Sequence, residues 1–310
     1  MEVIRNLQDF PELAHAVVTS GTFDGVHQGH QKIINRLVQL ASQSGGQSVV
    51  ITYWPHPRQV LNPGDASLKL LSTIEERIFQ LSTYPIDYLL IIPFTSDFAN
   101  LTSEEYIQQV LVQTIKSKVL VIGYDHRFGK NREGSFDYLS KNAHRYGFQV
   151  EEIPEHDIEH VAVSSTKIRA ALGSGKIATA NKYLGRPYSL TGQVVHGKKL
   201  GRTIGYPTAN ILVPEAYKLI PAQGIYAVQV QVNNNLYCGM LSIGTNPTVG
   251  GTTETVEVNI FDFNEEIYDQ FITIHFIQYL RPEEKYNSLE ALKAQLLIDK
   301  QNSLLALSNH

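Results

Sequence analysis

Between residues 16 and 41 the chain passes from an apolar run through a glycine-rich loop into a helical repeat, and this junction constrains what surrounds it. Ala16-Val17-Val18-Thr19 has the character of a buried strand, and Ile33, Ile34, Leu37, Val38 and Ala41 recur at helical spacing. Between them stands Gly21-Thr22-Phe23-Asp24-Gly25-Val26-His27-Gln28-Gly29-His30. Two histidines three residues apart at the start of a helix project to one side. Gly21, Gly25 and Gly29 let the backbone approach a ligand closely. The helix N-terminus adds N–H groups and the positive end of a dipole. The stretch reads as a phosphate site with two imidazoles aimed into it. His-x-Gly-His alone is also compatible with a capped turn; the flanking strand and helix favour the site.

The rest of the first half alternates strands and helices. Ser48–Tyr53, Tyr88–Ile92, Val119–Ile122 and Phe148–Ile153 read as strands. Helices are predicted from Ser72 or Thr73 to Leu81, from Thr102 to Ile115, and from Phe136 to Tyr146. Near-continuous apolar strands between helices predict an α/β domain with a parallel sheet covered on both faces. Ligands then bind at the carboxyl ends of the strands.

Three further stretches of this half carry chemistry. Trp54-Pro55-His56-Pro57-Arg58 follows the second strand, and its prolines fix the loop's shape. Gly123-Tyr124-Asp125-His126-Arg127-Phe128-Gly129-Lys130 follows the fourth, where Asp125 could close a turn. Val163-Ser164-Ser165-Thr166-Lys167-Ile168-Arg169 opens a helix; Ser and Thr are common caps, and Arg169 one turn in adds a cation suited to a triphosphate.

The pattern changes after Tyr183-Leu184-Gly185-Arg186-Pro187, so a boundary is placed near residue 185. Beyond it, Leu190–Val195, Ile225–Val232, Leu236–Ile243, Thr255–Ile260 and Ile272–Tyr279 form short runs separated by turn signals. They predict an antiparallel β-barrel. Ser288–Leu307 reads as a terminal helix with Leu289, Leu292, Leu296 and Leu297 on its apolar side. In Gly197-Lys198-Lys199-Leu200-Gly201-Arg202-Thr203-Ile204-Gly205-Tyr206-Pro207-Thr208-Ala209-Asn210, glycines and basic residues suit a phosphate-binding flap or a glycine-rich hairpin. Thr208 and Asn210, two apart, would point their oxygens the same way in extended chain, a donor set suited to Mg²⁺. In Val256-Glu257-Val258-Asn259-Ile260, Glu257 and Asn259 share the face opposite the valines.

A net charge of −4 over 310 residues gives no sign of nucleic acid or an acidic membrane surface as partner. Cys238 is the only cysteine, which excludes an intrachain disulfide. The charged start MEVIRNLQDF lacks a signal-peptide core, and no apolar run approaches a membrane span. These features predict a cytoplasmic soluble protein and leave self-association open.

GTFDGVHQGH resembles the first signature of the His-x-Gly-His nucleotidyltransferase superfamily, and in this form the adenylyltransferase half of bacterial bifunctional riboflavin kinase/FAD synthetases. The Gly123–Lys130 loop is similar to that family's second signature, with Asp125, Phe128 and Gly129 matching and His126 standing where Phe is usual. Ser164-Ser165-Thr166-x-x-Arg169 resembles its Ser-Ser-Thr-x-x-Arg signature, and Gly205-Tyr206-Pro207-Thr208-Ala209-Asn210 its riboflavin kinase signature. Gly244-Thr245-Asn246-Pro247-Thr248 resembles a further loop, and Asn259 stands where His is frequent.

The resemblance covers nearly the whole chain. It implies a Rossmann-like FMN adenylyltransferase domain over residues 1–185 and a barrel riboflavin kinase domain with a terminal helix over 186–310. It implies His27 and His30 as catalytic in the first, with Gly21, Phe23, Asp24, Gly29, Ser165, Thr166 and Arg169 binding ATP and Pro55, His56, Pro57, Asp125 and Phe128 binding flavin. In the second it implies Glu257 as the base, Gly197, Lys198, Gly201, Gly205, Pro207, Thr208 and Asn210 at the ATP phosphates, Thr208 and Asn210 on Mg²⁺, and Arg281 near the flavin. ATP, riboflavin and FMN are the implied substrates. Two other readings are a different His-x-Gly-His nucleotidyltransferase with an appended barrel, and a non-catalytic flavin-binding regulator.

Overall fold

The computed structural model describes residues 1–65, 67–123, 127–130, 133–153, 163–197, 200–248 and 251–308, with backbone only at 200, 246–248 and 251–253. Asp125, His126 and Lys198 lie outside the described residues. The chain divides into two compact units, Met1–Ser165 and Thr166–His310.

The first unit is built on a six-stranded sheet of β1 (Glu2–Ile4), β2 (Ala16–Ser20), β3 (Gln47–Trp54), β4 (Tyr88–Pro93), β5 (Ser117–Gly123) and β6 (Gln149–Ile153). Their spatial order is β1-β4-β3-β2-β5-β6, and every pairing is parallel. Alternate residues of β2, β3, β4 and β5 feed two separate cores. Val18, Ile51, Leu90 and Ile122 enter one; Val17, Val50, Leu89 and Val121 enter the other. Burial on both faces is why these strands read as continuous apolar runs rather than alternating ones. From β2 the chain steps to β3 and β4 on one side, and β5 and β6 lie on the other. The gap between β2 and β5 is therefore the topological switch point, where open α/β sheets bind ligands.

The helices follow their sequence signals. The helix Gln28–Ser44 buries Ile34, Leu37 and Ala41 and stops at Gly45, whose φ of 62° suits a left-handed cap. Ile74–Ser82 starts from a reciprocal capping box of Thr73 and Glu76. Thr102 and Glu105 cap Ser103–Tyr106, which continues as a π-helix over Ile107–Thr114. Phe136–Tyr146 ends at Gly147, again left-handed.

The second unit is a closed antiparallel barrel of β7 (Tyr188–Val195), β8 (Ala209–Leu212), β9 (Gly224–Val232), β10 (Asn235–Thr248), β11 (Gly251–Ile260) and β12 (Phe271–Arg281), in the order β10-β11-β8-β7-β12-β9. Residues 244–248, expected as a loop, continue β10 opposite β11. Along β7, Tyr188, Leu190, Gly192 and Val194 are buried in alternation, as a barrel interior requires.

The compact division falls between Ser165 and Thr166, because helices preceding β7 pack on the barrel: Asn181 Nδ2 donates to Phe276 O at 2.8 Å, and Ala222 N donates to Leu172 O at 3.0 Å. The terminal helix Leu289–Leu307 presents a different face from the one expected. Leu289 and Leu297 are each 51% exposed, while Asp299, Ser303, Ala306 and Leu307 are buried. Asp299 binds Arg281 of β12, which fixes the helix's rotation and places Ala306 and Leu307 against Ala227 and Ile277.

Candidate functional sites

The first site is built on the loop after β2. Gly21 N donates to Ile51 O at 3.0 Å, so the chain leaves the sheet still tied to β3. Phe23, Gly25 and Val26 then adopt left-handed backbone, with φ of 47°, 76° and 39°. For Phe23 and Val26 such conformations cost roughly 1–3 kcal/mol each and persist only when the surroundings over-determine them. Here both side chains are buried. The Asp24 carboxylate, 1% exposed, accepts from Leu71 N at 2.9 Å and Ser72 N at 3.1 Å, and Ser72 Oγ accepts from Gly25 N at 3.1 Å. Gln31 Nε2 donates to Val26 O and Ser165 Oγ to Asp24 O. Asp24 thus braces the loop.

This loop delivers His27 as the N-cap of Gln28–Ser44. His27 Nδ1 accepts from His30 N at 3.4 Å, which places the proton of the neutral ring on Nε2. The two imidazoles stack, with centroids 3.6 Å apart and planes at 16°, and Phe23 packs on His30 at 5.1 Å. Gly29 is buried within the helix, and a Cβ at Gly21 would lie 3.2 Å from the Phe23 ring. Ser165 begins the helix Ser165–Gly173; Thr166 and Arg169 follow on it and belong to the second unit.

Beyond β3, His56 caps the short helix Pro57–Leu61, accepting from Arg58 N and donating its own N–H to Gln59 Oε1. After β5, Phe128 forms an isolated bridge with Gly134, through Phe128 N to Gly134 O at 3.1 Å and Gly134 N to Phe128 O at 3.0 Å. A Cβ on Gly134 would lie 2.5 Å from the Phe128 ring. Phe128 packs on Tyr106 at 5.4 Å, and the cluster extends through Phe98, Tyr53 and Phe94. The Tyr53 and Tyr106 hydroxyls are 2.9 Å apart, and burial pushes both pKa values up. Sequence reasoning singled out Phe128 alone. Tyr53 at the end of β3 and Phe94 just after β4 carried the same positional signal.

The second site lies where β8 meets β11. Glu257 pairs with Asn210 in the ladder, and Thr208 Oγ1 donates to Glu257 Oε2 at 3.1 Å. β7 and β8 pair antiparallel, and the connection between them contains one helical turn, Leu200–Thr203. Gly205, at φ 86°, follows that turn. A Cβ at Gly197 would sit 2.1 Å from Asn210 Nδ2 and would force that side chain aside, and one at Gly201 would sit 2.2 Å from the Tyr206 backbone oxygen, which favours glycine there. Beside Thr208 is a cleft lined by Val194, Pro207, Phe263 and Tyr268 and by the charged side chains of Arg202, Glu265 and Glu266. Arg281, expected near flavin, directs Nε and Nη2 to Asp299, a buried carboxylate that sequence reasoning missed.

Comparison with known proteins bears on both units. The family model for FAD synthetase matches residues 9–167 and that for riboflavin kinase matches residues 184–307. A bifunctional riboflavin kinase/FMN adenylyltransferase from Listeria monocytogenes is 40% identical over 288 residues, covering 93% of this chain and 91% of that protein. This chain belongs to the bifunctional riboflavin kinase/FMN adenylyltransferase family. The Bacillus subtilis member is 36% identical over 96% of this chain and 94% of its own. A crystal structure from Streptococcus pneumoniae, described as a macrolide-efflux protein, superposes with a TM-score of 0.89 at 32% identity, covering 98% of this chain and 99% of that one. No helix among the described residues is long and apolar enough to cross a membrane. The parallel-sheet unit and the closed barrel are the folds expected from the two halves of the sequence.

Proposed function

We propose that the chain makes flavin cofactors in two steps at two separate sites. In the barrel, ATP phosphorylates riboflavin to FMN and ADP leaves. In the parallel-sheet domain, the FMN phosphate attacks the α-phosphorus of a second ATP, giving FAD and pyrophosphate. The hydrogen bond between Thr208 and Glu257 carries this reading, because it sets a proton acceptor on β11 beside a hard oxygen donor just ahead of β8.

The two nucleophiles differ, and so do the residues assigned to them. A ribityl hydroxyl is neutral and loses its proton as it attacks, so Glu257 accepts that proton. Thr208 spends its own proton on Glu257, which leaves oxygen lone pairs for a cation. Thr208 and Asn210 offer oxygen donors that suit a divalent metal, and we take this to be Mg²⁺, which would neutralise charge on the phosphates when bound. The cleft beside Thr208 offers Pro207, Phe263 and Tyr268 as surfaces for an adenine ring, with Arg202, Glu265 and Glu266 at its lining. In the other step the FMN phosphate is already anionic and needs no strong base, only alignment and charge stabilisation. His27 and His30 supply these at the helix N-terminus. Ser165, Thr166 and Arg169 are read as ATP-binding residues, and Gly21, Phe23 and Gly29 as the backbone that admits it. The aromatic cluster around Tyr106 and Phe128, with Pro55, His56 and Pro57, is read as the flavin-binding side of that domain. The reading includes a cytoplasmic location, where both substrates of each step are small and soluble.

Timed chromatography of the protein with riboflavin, ATP and Mg²⁺, and in parallel with FMN, ATP and Mg²⁺, tests the proposal. FMN should appear first and FAD follow, with FAD formed directly in the second mixture. FAD from FMN without any FMN from riboflavin would refute the kinase step; FMN alone would refute the adenylyl step.

A further inference from the structure

The ladder between β8 and β11 pairs Asn210 with Glu257 and Ala209 with Val258, and there it ends. One step further, Asn259 would face Thr208, but the chain at residues 206–208 has left the sheet. Pro207 has no N–H to offer the ladder, and its carbonyl still requires a donor. Asn259 provides it: Nδ2 donates to Pro207 O at 2.6 Å, and the residue is only 7% exposed. Glu257, two residues earlier on the same face of β11, accepts from Thr208 Oγ1. The Pro207 carbonyl and the adjoining Thr208 hydroxyl are therefore each held by a side chain of one strand. The orientation of the Pro207–Thr208 peptide directs the Thr208 Cα–Cβ bond and so limits where its hydroxyl can point.

We infer that Asn259 is a positioning residue for nucleotide and metal binding in the barrel: by donating to the Pro207 carbonyl it aims the Thr208 hydroxyl. The inference rests on the kinase reading above. Asn259→Asp is the sharpest probe, because it keeps shape and volume but sets an oxygen against the Pro207 oxygen. Without the donor, the Pro207–Thr208 peptide rotates and Thr208 loses its aim, while Glu257 stays on its strand.

The test is calorimetric titration of the full chain with ADP in the presence of Mg²⁺, alongside both activity assays. The binding event that Thr208→Val removes is assigned to the barrel; if Thr208→Val removes none, the kinase reading of Thr208 fails rather than the role of Asn259. In Asn259→Asp that event should weaken by about tenfold. KM for ATP in riboflavin phosphorylation should rise by a similar factor with a smaller change in kcat, and FAD formation from FMN should stay within twofold. Asn259→His, whose ring N–H can donate, should recover most of the ADP affinity. Should Asn259→Asp not fold, Asn259→Ser removes the reach to Pro207 without adding charge and should show the same weakening. ADP affinity within twofold of the unsubstituted chain in the folded donor-less variant would overturn the inference, as would an Asn259→His protein that binds as weakly as Asn259→Asp.

Discussion

Arg281 at the end of β12 and Asp299 within the terminal helix are joined by two parallel hydrogen bonds, Nε to Oδ1 at 2.8 Å and Nη2 to Oδ2 at 2.7 Å. Asp299 is 1% exposed, and Gln295 Nε2 donates to it as well. The carboxylate holds the guanidinium pKa above its ordinary value. Removing one partner of such a pair leaves a charge with poor solvation. Asp299→Ala should lower stability by about 3 kcal/mol, read from urea unfolding of the barrel. A loss below about 0.5 kcal/mol would mean the helix is held by its apolar contacts alone.

Asp24 holds a loop that carries left-handed Phe23 and Val26. Asp24→Ala leaves two backbone N–H groups without their acceptor and should release that strain. FAD formation from FMN should fall at least about tenfold, at a stability cost of about 2 kcal/mol, while riboflavin phosphorylation is retained. Equal loss of both activities would show that the loop's brace matters beyond its own site.

Gly134 lies flat against the Phe128 ring. Gly134→Ala must displace that ring from its place in the aromatic cluster, an overpacking cost of about 1–3 kcal/mol. KM for FMN in adenylylation should rise severalfold with KM for riboflavin unchanged. An unaltered KM for FMN would remove Phe128 from the flavin-binding side.

His275 on β12 lies opposite Ser189 and Gln229, and burial lowers its pKa from the ordinary 6.5. The unfolded chain then takes up a proton that the folded barrel resists. The neutral ring's contribution is complete above about pH 6.5 and is lost as pH falls toward the folded value. Tm should therefore fall between about pH 7.5 and 5.5, and His275→Gln should reduce that fall. An identical pH dependence in the variant would contradict the assignment.

Much of this architecture is legible in the sequence because the relevant physics is local. Val17 and Val18, or Leu89 and Leu90, announce a strand buried on both faces without reference to anything distant. Thr73 with Glu76, and Gly147 after Tyr146, mark helix ends within one turn. The features that sequence reasoning missed depend on partners far along the chain. Glu2–Ile4 is a strand only because β4 pairs with it, and Ala209–Leu212 only because β7 and β11 flank it. The buried side of the terminal helix is set by Asp299 and Arg281, not by the leucines at 289 and 297. At the sites, the histidine pair and the Thr208–Asn210 spacing could be read directly, whereas the Asn259 contact to Pro207 needed the fold.

The central claim is that two chemistries occupy two independent sites, and reciprocal single substitutions test it most directly. Each variant is assayed in one preparation for riboflavin phosphorylation and for FMN adenylylation. His27→Ala should lower FAD formation by about a hundredfold or more with FMN formation within twofold. Glu257→Gln should lower FMN formation by about 10²–10⁴ with FMN-fed FAD synthesis within twofold. Both activities falling together in either variant would contradict the account.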